Sequence, residues 1–281
     1  MLARIRNAGR LLWRTIDACQ RDDTPFLAAG LSFYTVLSLA PALWLVTAIV
    51  GAWAGRESAR AQIIKGTTEL AGSDAAGFVS RVVDQVEATS SLATVVGLVS
   101  MFFGATLAFG SLYDSLNRIW KVIPPPDRGF IRGYLTKRLL AFVLVLLMGI
   151  LMLLSLLLTA TVAAAARFVP DSLPATGFAI EAINFVISMG LMFVLFAAIY
   201  AILHDHNIDN HDVWIGAGVT AVLFAIGKSL LALYLASTGL TSAYGAAGSV
   251  VVLLLWVYYS AQIFLFGAEF TELYSRARKR R

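Results

Sequence analysis

Residues 139–166 read LLAFVLVLLMGILMLLSLLLTATVAAAA and contain no charged side chain. The hydrocarbon core of a bilayer is about 30 Å thick, and an α-helix needs about 20 apolar residues to cross it. The stretch is too long for a β-strand and lacks the alternation of polar and apolar residues found in membrane barrels. It therefore predicts a transmembrane α-helix.

The composition extends this prediction to most of the chain. Of the 281 residues, 59% are hydrophobic and 14% are charged, whereas soluble domains carry about 25% charged residues. We therefore expect an all-α, polytopic membrane protein that forms a single membrane domain over residues 1–281. By the same length criterion, six transmembrane helices are predicted at 27–53, 92–110, 138–164, 180–203, 213–236 and 245–271.

The basic residues predict the orientation of these helices. Lysine and arginine concentrate in the arm at 1–26, in the connection at 111–137 and in the basic tail at 272–281. Because basic flanks stay on the cytoplasmic side, we expect both termini in the cytoplasm. The isoelectric point near 9.5 then reflects the excess of basic residues on the cytoplasmic side. We expect these residues to bind anionic lipid headgroups and not nucleic acid.

Two segments outside the spans have amphipathic patterns. In the arm at 1–26, one side of a predicted helix is apolar and the other carries arginines, which is typical of a helix lying on an anionic leaflet. A helix packed against the bundle is an equal alternative. The outer loop at 54–91 predicts two short amphipathic helices with a break near Gly72. The apolar side of the arm comprises Ala8, Leu12, Ile16 and Cys19, and the basic side Arg6, Arg10, Arg14 and Arg21.

Polar residues recur at similar predicted depth in the first, second and sixth spans. One interpretation is a hydrogen-bonded lock among these helices, in which Glu269 is paired with a cation such as Arg118 and Arg118 is within reach of Asp114. The alternative is a cavity that opens to the cytoplasm and receives a polar headgroup or an ion. The candidates are Ser32, Thr35, Asp114, Asn117, Arg118, Tyr258, Gln262 and Glu269.

Two further residues stand out within spans. Lys228 is alone in the fifth span, and its helical spacing from Ala217 and Ala221 predicts that it faces the bundle. There it would contact an anionic substrate group or line a watery cavity, or else meet a structural partner such as a carbonyl. Pro41 frees the carbonyl of Leu37 and is a hinge candidate, although such a kink can also merely shape a bundle.

The stretch HDHNIDNHD at 204–212 contains all three histidines. His204, His206 and His211 could ligate a transition metal, but the connection is short and a solvated turn is the favoured interpretation. Asn210 or Asp212 would cap the helix that follows. We therefore expect no metal and no cofactor.

Three stretches resemble one known family, namely LAAGLSFYTVLSLAP (27–41), SLNRIWKV (115–122) and GSVVVLLLWVYYSAQIFLFGAEFTEL (248–273). They are similar to the YihY/BrkB family of bacterial inner-membrane proteins, some of which have carried the label "ribonuclease BN". The resemblance implies a multi-pass protein of the bacterial inner membrane. Proposals for some members of that family include the movement of lipid or lipopolysaccharide precursors.

These features lead to one expected function and two alternatives. We expect a transporter or flippase-like protein for a lipid or other anionic amphiphile, without its own ATPase because no P-loop is present. A non-transporting scaffold of an envelope complex is the alternative. Ribonuclease activity is disfavoured because the acidic residues are scattered and no RNA-binding motif occurs, so we expect no enzyme. Membrane lipids are the expected partners, and a homo-oligomer or an envelope partner is left open.

Overall fold

The computed structural model describes most of the chain, and every regular element in the described part is helical. The described residues are 2–87, 107–122, 176–203, 208–238 and 247–279, together with 139, 143, 147, 150, 151, 154, 155, 157, 158, 161 and 162. No β-strand occurs among them. The predicted all-α class is therefore confirmed over these residues.

The helices follow one another with short connections where both ends are described. We label them α1 (Leu2–Arg21), α2 (Thr24–Ala54), α3 (Arg56–Glu87), α4 (107–119), α5 (Thr176–Leu203), α6 (Asn210–Thr238) and α7 (Gly248–Lys279). The individual residues described between 139 and 162 are also helical.

Three of the described helices are long and apolar enough to cross a bilayer. They are Ile180–Leu203 in α5, Asn210–Leu235 in α6 and Gly248–Lys279 in α7, and they match the spans predicted at 180–203, 213–236 and 245–271 to within a few residues at their amino-terminal and outer ends. The predicted span 27–53 lies within α2, where Thr24–Leu39 forms a shorter apolar helix. The spans predicted at 92–110 and 138–164 fall largely outside the described residues.

Helix α2 continues through Pro41, and α7 continues past the predicted end of the sixth span. Residues 272–279 of the predicted basic tail thus form the last turns of α7, where Arg276, Arg278 and Lys279 lie near its carboxyl end. Positive side chains there offset the partial negative charge of the helix terminus.

A two-residue turn joins α1 to α2. Asp23 has a positive φ of 54°, a conformation that aspartate tolerates better than most residues. The Asp23 carbonyl accepts hydrogen bonds from the N–H groups of Phe26 and Leu27, at 2.9 and 3.1 Å, so it starts α2. Pro25 follows in the first helical turn, where its missing N–H costs no helical bond.

Helix α3 contains the break that the sequence predicts. Gly72 has φ 87° and ψ 173°, which interrupts the helix and which a glycine adopts without steric cost. Arg60 and Asp84 form a 2.7 Å ion pair across the break, so the two arms fold back on each other. Val79 and Val83 of the second arm are buried together with Ile63 of the first.

Helices α6 and α7 pack in an antiparallel pair through matching glycines and threonines. A Cβ atom placed on Gly216 would lie 1.8 Å from Oγ1 of Thr271, and one on Gly267 would lie 1.8 Å from Oγ1 of Thr220. Each helix carries the pattern Gly-x-x-x-Thr, so each threonine occupies the space above the opposite glycine. Small residues at such positions let membrane helices approach closely.

Helix α1 packs on α7 through a side that the sequence did not indicate. Thr15 and Ala18 are buried, whereas Leu12, Trp13 and Ile16 are exposed. The predicted apolar side, which includes Leu12 and Ile16, is therefore not the packing side. The arm thus contacts the bundle, and its position on an anionic leaflet stays a prediction.

Candidate functional site

Charged side chains from three parts of the chain meet at one end of the bundle. The turn between α1 and α2 approaches the end of α4 and the last third of α7 there. We call this group the junction cluster, and it consists of Asp22, Asp23, Arg118, Lys121, Glu269 and Glu272.

Glu269 is the most buried member of the junction cluster. Its exposed fraction is 2%, and its Oε1 atom has no hydrogen-bond partner in the structure. The charges of Asp22 and Glu272 act on Glu269 as like charges, and Lys121 is the basic residue that acts on it. A buried carboxylate normally needs a close cation or several donors, so this site is poorly compensated.

The expected pairing of Arg118 with Glu269 is wrong. Arg118 contacts Asp23 instead, at 2.8 Å, and both side chains are about half exposed. Because the pair is solvated, it adds little stability by itself. It does connect the end of α4 to the turn between α1 and α2. Asp114 is exposed on α4, one turn before Arg118.

The end of α4 directs Lys121 toward α7. The Val122 N–H donates to the carbonyl of Asn117 at 2.9 Å, and Lys121 has a positive φ of 54°. This is the Schellman arrangement, in which the residue after the helix adopts the left-handed conformation. Glycine usually occupies that position because it takes a positive φ without steric cost, and here a lysine does so. Sequence reasoning missed Lys121, although the nearby prolines signalled a helix end.

Two aromatic residues join α4 and α5 to α7 beside Glu269. The indole N–H of Trp120 donates to the carbonyl of Ala268 at 3.2 Å. The hydroxyl of Tyr200 donates to the carbonyl of Phe264 at 2.6 Å. The two rings meet edge to face with centroids 6.1 Å apart. These contacts favour the interpretation of a lock on the apolar side of the junction cluster.

The hydroxyl groups of α2 are satisfied within their own helix. Ser32 donates to the carbonyl of Ala29 at 2.8 Å, and Thr35 donates to the carbonyl of Leu31 at 2.7 Å. Their protons are therefore used locally and are not directed at the junction cluster. Near the start of α2, Ala28 and Leu31 belong to the same buried apolar core as Leu116 and Trp120.

The polar face predicted on α7 is present. The amide of Gln262 donates to the hydroxyl of Tyr258 at 3.0 Å, one turn away. Both side chains are partly buried, whereas Glu269 lies two turns further along the helix. Gln262 and Tyr258 thus satisfy each other.

The histidine stretch contributes a structural contact. His211 is exposed, and Arg278 at the end of α7 contacts Asp209 and lies 3.3 Å from the buried carboxylate of Asp212. Among the residues described, no group of histidine, cysteine and acidic side chains is arranged to hold a metal. His204 and His206 lie outside the described residues. The carbonyl of Asp209 accepts the first N–H groups of α6, so Asp209 is the cap, and neither Asn210 nor Asp212.

An apolar groove runs between α5 and α6. It encloses about 360 Å³, which lies within the range of small-molecule sites, about 300 to 1,000 Å³. A Cβ atom on Gly190 would meet no atom within 4 Å, so the groove is open there. The lining is entirely apolar and consists of Phe185, Val186, Met189, Gly190, Phe193, Gly218, Ala221 and Val222.

Lys228 lies on α6 about 10 Å beyond Ala221, on the same side of the helix. The prediction that it faces the bundle interior is wrong, because Lys228 is exposed while Ala217 and Ala221 are buried. At the neighbouring Gly227, which faces α7, a Cβ atom would lie 2.6 Å from Cδ1 of Ile263. Lys228 follows this contact directly and is exposed.

The ionisation of the Cys19 thiol on α1 depends in part on the charges of the junction cluster. Burial raises the pKa of Cys19 to about 11, and the carboxylates of Glu269 and Asp22 act in the same direction. At pH 8 its reactive thiolate is therefore about a hundredfold scarcer than that of an ordinary thiol. We expect slow alkylation at pH 8 and a rate that still rises above pH 10, measured by mass spectrometry on the purified protein.

The matched control is a Cys19→Ser, Ser73→Cys variant, which moves the single cysteine to an exposed position on α3. Its alkylation rate should level off near pH 10. A wild-type rate that levels off at the same pH would contradict the raised pKa of Cys19.

Fold and composition define the class as an α-helical integral membrane protein. The sequence model of the family described as virulence factor BrkB matches residues 15–281. Since this match covers nearly the whole chain, the protein belongs to that family, and the resemblance seen in the sequence is confirmed.

Relatives named UPF0761 membrane proteins are similar over most of their length. The relative from Alteromonas mediterranea is 27% identical over 91% of this chain and 84% of its own. Those from Pseudoalteromonas atlantica and Cronobacter sakazakii are 26% and 25% identical, and cover 92% and 97% of this chain and 83% and 90% of their own. No solved structure matches the chain.

Proposed function

We propose that the protein binds an anionic amphiphile, such as an acidic lipid, along the α5–α6 groove and moves it between the leaflets of the membrane. The observation that carries the proposal is an apolar groove with an exposed lysine beyond its end. The protein would act without an ATPase or nuclease activity of its own and without binding nucleic acid.

The groove suits a hydrocarbon chain because its lining offers no polar group. Gly190 and Gly218 leave room between the two helices, and Phe193 borders that space at 3.6 Å from a Cβ atom placed on Gly218. Phe185 and Val186 are largely exposed at the opening. A chain lying there would cover apolar surface and meet no unsatisfied donor or acceptor.

Lys228 supplies the charge that selects an acidic headgroup. A lysine within an apolar helix is costly in lipid unless it reaches water or an anion. Its distance from Asn210, the first residue of α6, is about 27 Å, and from Thr238, the last, about 15 Å. It therefore lies nearer the carboxyl end of α6, where a phosphate could meet it.

The proposed topology gives this arrangement a direction. We place six spans in the bacterial inner membrane with both termini in the cytoplasm, so the junction cluster faces the cytoplasm and Lys228 lies in the outer leaflet. The groove at Gly218 and Ala221 then lies closer to the midplane. A lipid with its headgroup at Lys228 would extend its chain along the groove toward the midplane, as lipids of the outer leaflet do.

Lipid movement in reconstituted vesicles tests the proposal. With a labelled acidic lipid and a membrane-impermeant quencher, the wild type should expose inner-leaflet label faster than empty vesicles. Lys228→Ala should slow this movement about tenfold, because a charge-assisted hydrogen bond contributes about 1.5 kcal/mol or more.

Lys228→Arg is the matched control, since it keeps the positive charge and should retain most of the rate. A neutral zwitterionic lipid should be moved more slowly by the wild type and be insensitive to Lys228→Ala. If the wild type moves no acidic lipid, the proposal fails and the non-transporting scaffold becomes the better account.

A further inference from the structure

Both arms of α3 carry charged residues, although the helix packs against α2 and α7. Ala75 and Val83 are buried, whereas Lys65 and Asp74 are exposed. Lipid tails do not solvate charged side chains, so the depth of α3 decides what must surround its polar side. The charged residues of α3 are Arg56, Glu57, Arg60, Lys65, Glu69, Asp74, Arg81, Asp84 and Glu87.

Apolar contacts show how deep the tip of α3 lies. We define the α3 tip as residues 72–74, which read Gly-Ser-Asp. Ala75 follows the tip and shares a buried cluster with Leu253 of α7, against which Leu39 of α2 and Val257 of α7 pack. Along their helix axes, Leu39 and Val257 lie within about 2 Å of the centres of the first and sixth predicted spans. Two helices thus place the α3 tip near the middle of the bilayer.

The length of the first arm agrees with this depth. Gly55 alone separates α2 from α3, so the first arm, residues 56–71, starts at the outer end of α2. This arm is about 24 Å long, and Leu39 lies about 22 Å from the end of α2. Ile63 in the first arm shares a buried cluster with Leu43 of α2. The first arm therefore runs back alongside α2 to the middle of the bundle.

The second arm returns toward the side from which the first arm enters. Val83 packs with Leu43, which is closer to the outer end of α2 than Leu39. The guanidinium of Arg81 donates to the hydroxyl of Ser249, near the start of α7. Both arms of α3 thus point to the side opposite to the junction cluster.

We propose that α3 is a re-entrant helical hairpin, and that its tip lines a water-filled cavity that opens to the outer side and reaches the middle of the membrane. Gly72, Ser73 and Asp74 are all exposed, and Gly72 interrupts the helix with φ 87° and ψ 173°. Non-helical backbone at this depth is stable only where protein buries it or where it lines a water-filled cavity. Because the tip is exposed, the second condition applies.

The same cavity gives Lys228 access to water. Trp256 packs against the cluster of Ala75, and its ring meets that of Phe224 on α6 edge to face, with centroids 6.5 Å apart. Lys228 follows Phe224 by one turn toward the outer side, and α3 contacts α6. Asp74 and Lys228 are thus exposed charged residues at similar depth. This inference does not rest on lipid movement, since water in the cavity solvates both charges without a headgroup.

The reactivity of single cysteines in sealed right-side-out membrane vesicles tests the cavity. In a Cys19→Ser background, Ser73→Cys probes the tip and Ser58→Cys probes an exposed position near the start of α3. Leu37→Cys is the matched control at the depth of the tip, because Leu37 is 55% exposed on α2. Two membrane-impermeant reagents are added outside, namely a small charged methanethiosulfonate and a maleimide coupled to a long polyethylene glycol chain.

The small reagent should modify Ser73→Cys at a rate within about tenfold of that for Ser58→Cys, because water supports the reactive thiolate. The polymer-coupled maleimide should modify Ser58→Cys but not Ser73→Cys, since the polymer is too wide to enter a cavity between helices. Leu37→Cys should react with neither reagent, because lipid disfavours the thiolate.

Three results would overturn the proposal. If Ser73→Cys reacts with both reagents, α3 lies on the outer surface. If it reacts with neither while Ser58→Cys reacts, the tip lies in lipid or in a closed interior. If it reacts only when the small reagent is added from the cytoplasmic side, the cavity opens in the other direction. Each result is independent of lipid movement, which the vesicle assay measures separately.

Discussion

Replacing Gly216 by alanine should lower the free energy of unfolding by about 3 kcal/mol. The new methyl group would lie 1.8 Å from Oγ1 and 2.8 Å from Cβ of Thr271, so α6 and α7 would have to separate. Because the contact is reciprocal, Gly267→Ala should act similarly through Thr220 and the hydroxyl of Tyr200. Thermal unfolding of the purified protein in detergent would measure both effects.

Gly218→Ala is the matched control, two residues further along the same helix. A Cβ atom there would meet Phe193 at 3.6 Å, an ordinary contact. This change should leave the unfolding temperature near that of the wild type or raise it slightly, since alanine favours helix over glycine. Equal decreases in stability for Gly216→Ala and Gly218→Ala would contradict the close packing of α6 on α7 at Gly216.

Replacing Trp120 by alanine should cost about 3 to 5 kcal/mol, the usual cost of removing a large buried aromatic side chain. Trp120 is buried, contacts the ring of Tyr200 and donates to the carbonyl of Ala268. Its loss would open a cavity between α4, α5 and α7, beside Glu269. Chemical denaturation followed by circular dichroism would give the change in unfolding free energy.

Trp13→Ala controls for the general effect of removing an indole. Trp13 is 72% exposed on α1, and substitutions at such positions usually change the free energy of unfolding by less than about 0.5 kcal/mol. Trp120→Phe should fall between the two, because it keeps an aromatic ring but loses the indole donor. If Trp120→Ala lowers the free energy of unfolding no more than Trp13→Ala does, the proposed contribution of Trp120 to stability is contradicted.

Much of the fold follows from local features of the sequence. Long apolar runs predict the helices α5, α6 and α7, because length and composition decide whether a segment can cross a bilayer. Gly72 marks the break in α3, since glycine readily takes a positive φ. The stretch at 248–273 indicates the family. Each of these signals lies within one segment and needs no knowledge of how helices pack.

The candidate site depends on contacts that no local pattern specifies. The charge of Asp22 acts on Glu269 because a two-residue turn and the packing of α1 on α7 bring them near each other. Lys228 is exposed although it lies on the same side of α6 as the buried Ala217 and Ala221, so helical spacing alone predicted the opposite. The reciprocal glycine and threonine pairs require the register of α6 against α7, which a single sequence does not reveal.

The α5–α6 groove likewise could not be predicted from the sequence. Its glycines, Gly190 and Gly218, lie on different helices, and each is ordinary within its own apolar run. They define a groove because α5 and α6 are antiparallel neighbours with a short connection. The sequence predicts both helices and the lysine, but the volume between the helices is a property of their packing.

Photo-crosslinking tests most directly the central claim that this groove holds the chain of an acidic lipid. An acidic lipid with a photoreactive acyl chain would be reconstituted with the protein, and the labelled peptides mapped by mass spectrometry. The account predicts label on Phe185–Phe193 and Gly218–Val222. Gly190→Leu should remove it by filling open space, and Gly30→Leu, an equally open position on α2, should not. Label centred on Leu233, or unchanged by Gly190→Leu, would contradict the claim.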